Sequence, residues 1–329
     1  MLVYTTLFPN SVQPINGNFI LERIRHLVPF ADISVIAPIP YFPSINLYQR
    51  WFEFAMVPHT ERIAGFNVDH PRYLVLPRIG MTTHGLSMFA GSLPQVRRRL
   101  RAADYDLIDA HYIYPDGLAA IVLGTLFNKP VVVSARGSDV NVFSKFHAIR
   151  PLIRQVLARA DAVVAVAQSL KDLMIGLGCP GEKITVIGNG VDPVKFKPEP
   201  RCTARQELGL PTENAIVLSV GQLLELKGFH ILIDAMVGLR RLRPNLTLVI
   251  VGEGPYRPRL EKQIRNLALE ENVRLVGARP HEQLSQWYSA ADVFCLASSR
   301  EGWANVVMEA MACGCPVIAT PVGGTAEIV

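Results

Sequence analysis

Two carboxylates, Glu301 and Glu309, stand in "SSREGWANVVMEAMACGCPVIAT", residues 298–320, on either side of an expected change in local structure. The run Val306 to Ala312 consists of good helix formers and is followed by Gly314, a C-terminal stop, and Pro316. Glu301 therefore reads as a loop residue and Glu309 as a residue one turn into a helix. Upstream, "DVFCLAS" is a short apolar run ending at Ser298; downstream, Val317-Ile318-Ala319 reads as a buried strand. A strand, then the loop Gly302-Trp303-Ala304-Asn305, then a helix opening near Val306 presents unpaired backbone N–H groups to an anion such as a diphosphate. Gly302 lets the backbone approach closely. Glu309 can accept hydrogen bonds from ribose hydroxyls and Glu301 from sugar hydroxyls. The expected ligand is a sugar joined to a nucleoside diphosphate.

The elements that must position these groups follow an alternating pattern. "LVYTTLF", "DISVIAPI", "YDLIDAHY", "PVVVSAR" and "DAVVAVA" are apolar runs with helical stretches between them. Such runs suit a parallel sheet covered on both faces. Residues 187–200, "IGNGVDPVKFKPEP", break the order with Gly, Asn and three prolines and read as a linker. The alternation then resumes in "AIVLSVG", "KGFHILIDAMVGLRRL", "LTLVIVGEG", "YRPRLEKQIRNLAL", "VRLVG" and "DVFCLAS". The expected class is α/β, with doubly wound Rossmann-like domains at 1–195 and 196–329 facing across a cleft. Ligands of such sheets bind outside the carboxyl ends of the strands. Residues 41–62 are aromatic-rich and poorly periodic; the aromatics are assigned to the core, with a flap beside an acceptor or a membrane as the alternative.

The chain has 329 residues, half of them apolar, enough for two cores. No window approaches the ~18 apolar residues of a spanning helix. The N-terminus lacks the basic start of a signal peptide. Five cysteines, scattered apart from Cys313 and Cys315, fit a reducing compartment, so a cytoplasmic location is expected. No further Cys or His cluster completes a metal site around Cys313-Gly314-Cys315, which reads as small buried side chains. Residues 1–195 carry 19 Lys and Arg against 14 Asp and Glu, whereas residues 196–329 carry 14 of each. The excess is concentrated at Arg97, Arg98, Arg99 and Arg101. This patch either is a solvated helix face or meets anionic lipid head groups, which would hold the protein on the inner membrane face. No nucleic-acid-binding motif accompanies it, so nucleic acid is not an expected partner.

Four stretches in one order carry a family resemblance: "VIGNGVDPVKFKP", "SVGQLLELKGFHILIDA", "VIVGEGPYRPRLE" and the Glu–seven residues–Glu signature of "EGWANVVMEAMACGCPVIATPVGG". Together they resemble the family 4 retaining glycosyltransferases of the GT-B fold, and the opening "TLFPNSVQPINGNFILERIRHL" is similar to members that build bacterial surface polysaccharides. The resemblance covers nearly the whole chain. Members continue beyond the equivalent of Val329 with another strand and helices, so the chain is expected to be a truncated, weakly stable form. The resemblance implies transfer of a sugar from a UDP- or GDP-sugar to a hydroxyl of a glycan or lipid-linked acceptor, with retention at the anomeric carbon. No cofactor and no essential metal are expected.

Residue by residue, the resemblance assigns Lys227 to the donor phosphates. The arginine expected five positions earlier, just after Gly221, is Gln222 here, a neutral amide that leaves more of the diphosphate charge to Lys227 and the helix N-termini. His111, ending "LIDAH", matches a histidine near the reacting sugar, and Gly17 matches a glycine that lets a loop approach the phosphates. Arg136 stands where many members have His and could meet an anionic group. Asp104-Tyr105-Asp106 imitates an Asp-x-Asp metal motif but precedes its strand and reads as a solvated loop. A dinucleotide-dependent oxidoreductase would need Gly-x-Gly-x-x-Gly after an early strand, which is missing. A sugar-nucleotide epimerase and a non-catalytic nucleotide-sugar-binding protein remain the alternatives.

Overall fold

The structure, a computed structural model, describes residues 1–42, 49–76 and 80–329. The chain divides into two compact units, Met1–Asn189 and Gly190–Val329.

The first unit contains β1 (Leu2–Tyr4), β2 (Ser34–Ile36), β3 (Ile39–Tyr41), β4 (Thr60–Ile63), β5 (Phe66–Asp69), β6 (Arg72–Leu74), β7 (Ile108–His111), β8 (Val131–Ala135), β9 (Ala162–Ala165) and β10 (Ile184–Val186). Eight of these form one sheet in the order β10-β9-β8-β7-β1-β2-β5-β4; β3 and β6 pair separately. All the pairs are parallel except the β4–β5 hairpin. The single strand expected over "DISVIAPI" is two. The Ala37 amide still donates to the Asp69 carbonyl at 2.8 Å. Pro38 has no N–H and ends the run, and Ile39–Tyr41 then pairs with Arg72–Leu74.

Within 41–62, residues 43–48 lie outside the described residues. Beyond them, on the helix Gln49–Met56, Phe52 and Phe54 differ in burial. Phe54 is buried with Ile39 and Val57, whereas Phe52 is 61% exposed, so assigning all these aromatics to the core is corrected. Tyr105 is buried with its hydroxyl on Ser34 Oγ at 2.9 Å, and Asp104 is an exposed partner of Lys129. On the helix His84–Ala102, Arg98 and Arg99 hold the buried Asp69 at 3.1 and 2.6 Å. Arg97 and Arg101 are exposed without such a partner among the described residues, and with Leu93, Pro94 and Arg98 they line a groove of about 410 Å³. Among the described residues, no helix is long and apolar enough to cross a membrane.

The second unit contains β11 (Ala215–Val220), β12 (Leu246–Val251), β13 (Val273–Gly277), β14 (Val293–Leu296) and β15 (Val317–Ala319), all parallel, in the order β13-β12-β11-β14-β15. Alternate residues feed two cores. Leu246, Leu248 and Ile250 meet Phe229, Ile233, Met236 and Leu260 on one face; Val249, Val251, Leu218 and Val220 meet Trp287, Tyr288 and Val307 on the other. Burial on both faces is why these strands read as continuous apolar runs. β15 departs from the expectation of burial. It is an edge strand, and Ile318 is 64% exposed. Cys313 and Cys315 are buried, and burial pushes each thiol up to about 11.

Candidate functional site

The order of strands in the second unit reverses at β11. From β11 the chain moves outward to β12 and β13, then returns to place β14 on the opposite side. The loops after β11 and β14 therefore diverge at a switch point, where α/β sheets bind ligands. The loop after β11 carries Gly221, Gln222 and, in the short turn Glu225–Lys227, the lysine. The loop after β14 carries Ser299 to Ala304.

These loops are stitched together by main-chain contacts. Both the amide and the Oγ of Ser299 donate to the Leu226 carbonyl, at 2.8 and 3.2 Å. Gly228, at the N-cap of the helix Phe229–Leu242, has φ +70°, and a Cβ there would lie 2.0 Å from the Ala297 carbonyl oxygen. Only glycine permits that approach. On the other side, Thr320 Oγ1 donates to the Ser298 carbonyl at 2.5 Å and the Gly324 amide to the Gly302 carbonyl at 3.2 Å. Held in this way, Lys227 Nζ reaches Glu301 Oε1 at 2.7 Å, with both side chains largely sheltered. Two residues 74 positions apart, both singled out in the sequence, form one ion pair.

The helix after this loop is Asn305–Ala312, with Ala304 as N-cap. Its opening differs in detail from a run of five free amides. The Asn305 amide donates back to the Trp303 carbonyl at 3.1 Å, while those of Gly302, Trp303, Ala304 and Val306 make no backbone hydrogen bond among the described residues. Trp303 Nε1 is buried without a partner among the described residues. Gln222 is exposed. Gly221 extends the β11–β12 ladder through its amide, 3.0 Å from the Val251 carbonyl.

Glu309 lies in the second turn of the helix and is 7% exposed. Its carboxylate is not bare. His281 Nε2 lies 2.9 Å from Oε1, and the Tyr288 hydroxyl donates to Oε2 at 2.8 Å. Neither partner is signalled in the sequence. His281 opens a turn and Tyr288 reads as ordinary helix core, and no spacing rule links either to a residue more than twenty positions on.

In the first unit, the reversal falls between β1 and β7. Three loops leave the carboxyl ends of β1, β7 and β8, and two buried carboxylates clamp them. Asp116 accepts from the Thr6 amide and, at 3.2 Å, from the Thr6 hydroxyl. Burial pushes its carboxyl up to about 7, against the lowering effect of those bonds. Asp139 accepts from the amides of Ile113, Arg136 and Gly137 at 2.7 to 3.2 Å. Between the clamps lies His111, fully buried, its Nδ1 2.5 Å from Arg136 Nη2 and its Nε2 3.3 Å from Asp109 Oδ2. Burial depresses the imidazole below its ordinary value, more than the neighbouring Asp109 raises it, so the ring is neutral and Nδ1 accepts from the guanidinium.

Arg136 also donates to Asn189 Oδ1 at 3.1 Å and lies over the Phe19 ring; burial lowers its guanidinium to about 10. The expected direct approach of His111 to a sugar therefore meets a ring with no exposed atom. Gly17 caps the helix Asn18–Leu27 with φ +66°, and a Cβ there would lie 2.1 Å from the Leu7 carbonyl oxygen, so local chain packing alone already demands glycine.

Comparison with known proteins supplies the family. Residues 201–329 match the family model described as glycosyl transferases group 1, and residues 52–195 match that of glycosyltransferase family 4. A D-inositol 3-phosphate glycosyltransferase of Thermobispora bispora is 33% identical over 332 residues, covering 93% of this chain and 73% of the relative. The amylovoran biosynthesis glycosyltransferase AmsK of Erwinia amylovora is 26% identical over 354 residues, covering 99% of this chain and 83% of the relative. Among solved structures, Anabaena Alr3699/HepE in complex with UDP superposes with a TM-score of 0.72 at 25% identity, over all of this chain and 82% of that one; the same protein is also solved with UDP-glucose. This chain belongs to the group 1, family 4 glycosyltransferases and has their GT-B fold.

Proposed function

We propose that the protein transfers a sugar from a UDP- or GDP-sugar to a hydroxyl of a glycan or lipid-linked acceptor in surface polysaccharide synthesis, with retention at the anomeric carbon. The observation that carries this reading is the Lys227–Glu301 pair, 2.7 Å apart at the switch point of the second unit, with Glu309 on the next helix. The complexes of Alr3699/HepE with UDP and UDP-glucose support a uridine donor, and the amylovoran relative supports a polysaccharide product.

Glu301 pairs with Lys227 and neutralises it. An arriving diphosphate competes for the ammonium, and the released Glu301 carboxylate accepts hydrogen bonds from the sugar. As the glycosidic bond to the phosphate breaks, negative charge grows on the leaving diphosphate. Lys227 and the amides of Gly302, Trp303, Ala304 and Val306 meet it. Asn305 shapes the loop, Gly221 and exposed Gln222 border it, and Glu309 holds the ribose. No side chain is assigned as a covalent nucleophile; the leaving phosphate oxygen takes the acceptor proton as the new bond forms on the same face. In the first unit, Gly17 shapes the loop after β1, and buried His111 accepts from Arg136 and holds that guanidinium, which meets an anionic group of a substrate. Arg97 and Arg101 meet anionic lipid head groups on the inner membrane face.

Incubation with UDP-, GDP- and ADP-sugars, with and without glycan or polyprenyl-diphosphate-linked acceptors, tests this. The expected result is acceptor-dependent release of nucleoside diphosphate and a product with the donor's anomeric configuration. Sugar interconversion without acceptor would make the protein an epimerase, and tight binding without turnover would make it a binding protein.

A further inference from the structure

We propose that His281 and Tyr288 are positioning residues for the donor nucleotide: together they aim the Glu309 carboxylate at the ribose hydroxyls. The inference rests on the reading of Glu309 as the ribose acceptor and adds the residues that make its recognition of the 2′-hydroxyl selective.

A glutamate on a helix has three side-chain torsions, and ordering them on ligand binding costs affinity. Here they are already ordered. An ionised carboxylate has about four lone-pair sites. His281 takes one on Oε1 and Tyr288 one on Oε2, which leaves one on each oxygen and fixes the plane in which both lie. Burial and the adjacent Glu309 charge push the Tyr288 phenol well above its ordinary value, so it stays a donor. With Nε2 turned to the carboxylate, His281 has no partner for its buried Nδ1 among the described residues. The hydrogen bond to Glu309 is thus the ring's only hydrogen bond among the described residues.

Both donors are themselves held. Phe196 packs edge-on against His281 at 5.1 Å between ring centroids and lies 6.2 Å from Tyr288; Phe294 meets Tyr288 at 5.6 Å. His281 is in the short turn His281–Gln283 and Tyr288 in the helix Leu284–Ala290 that continues it. One segment thus delivers both donors to the two oxygens of one carboxylate. A buried glutamate that served packing alone would need partners but would not affect how the site distinguishes a ribose from a deoxyribose.

Calorimetric titration of UDP, GDP and ADP, each beside its 2′-deoxy form, into wild type, Glu309→Ala, His281→Phe and Tyr288→Phe makes that distinction. The wild type is expected to prefer the ribo form of its nucleotide by about tenfold, the size of one lost hydrogen bond to a charged acceptor. Glu309→Ala should abolish the preference. His281→Phe and Tyr288→Phe should lower the ribo affinity more than the 2′-deoxy affinity, which keeps only the 3′-hydroxyl contact, and reduce the ratio to about threefold or less. His281→Gln, which keeps an N–H donor, should restore it and serves in place of any variant that does not fold. A wild-type ratio preserved in the folded His281 and Tyr288 variants overturns the positioning role alone. No effect of Glu309→Ala on affinity or ratio overturns the ribose reading beneath it as well, as does the absence of binding by all three nucleotides.

Discussion

Lys227 and Glu301 form an ion pair, so removing one changes what the other can do. Glu301→Gln removes the negative charge beside Lys227 without removing a hydrogen-bonding group. The account predicts that this variant binds the bare nucleoside diphosphate at least as tightly as wild type, while turnover of the sugar nucleotide falls by ~100-fold or more. Weaker binding of the diphosphate would show that Glu301 belongs to the phosphate site instead. A second residue-scale consequence concerns Asp116. Its ordinary value is 3.8 and burial pushes it up to about 7. Between those values, the folded chain holds a proton that the unfolded chain has released, so this carboxyl's contribution to stability falls as pH rises from about 4 to about 7. The unfolding free energy of wild type relative to Asp116→Asn should fall across that window, by at most ~4 kcal/mol. A difference that is flat with pH would contradict the burial argument.

At the scale of elements, the site is an arrangement of loops that only certain backbones allow. Gly228 combines φ +70° with a main-chain neighbour that a Cβ would overlap. Gly228→Ala is therefore expected to destabilise the second unit by ~2–4 kcal/mol and to weaken nucleotide binding through displacement of Lys227. Unchanged denaturant unfolding would show that the Leu226–Ser299 stitch is looser than described.

The same scale explains what could be read from the chain. The strand before Glu301, the helix bearing Glu309 and the strand–turn–helix around Lys227 were legible because their apolar runs and glycine punctuation are local signals. The split of "DISVIAPI" at Pro38 and the exposed edge strand at Val317–Ala319 were not, because strand partners are chosen by tertiary packing. His281, Tyr288 and the Arg136 contact with His111 were illegible for the same reason: each joins residues far apart in sequence.

At the scale of the whole molecule, the two units differ in charge. The basic excess of residues 1–195 includes an arginine groove in which Arg98 also pairs with Asp69 while Arg97 and Arg101 have no such partner among the described residues. Co-sedimentation with vesicles containing phosphatidylglycerol should exceed that with phosphatidylcholine vesicles, weaken as salt is raised, and fall about 30-fold or more in an Arg97→Glu, Arg101→Glu double variant, at ~1 kcal/mol or more per basic residue. Equal binding to both vesicle types would leave the groove as a solvated helix face.

The central claim concerns the second unit, and one titration tests it most directly: UDP and GDP into wild type and Lys227→Ala, followed by calorimetry. The account predicts that one of the two nucleotides binds wild type and that the variant loses ~10- to 100-fold in affinity, the size of a charge-assisted phosphate contact. Equal affinity in both proteins, or no binding of either nucleotide by folded wild type, would contradict the assignment of the Lys227–Glu301 pair as the donor site.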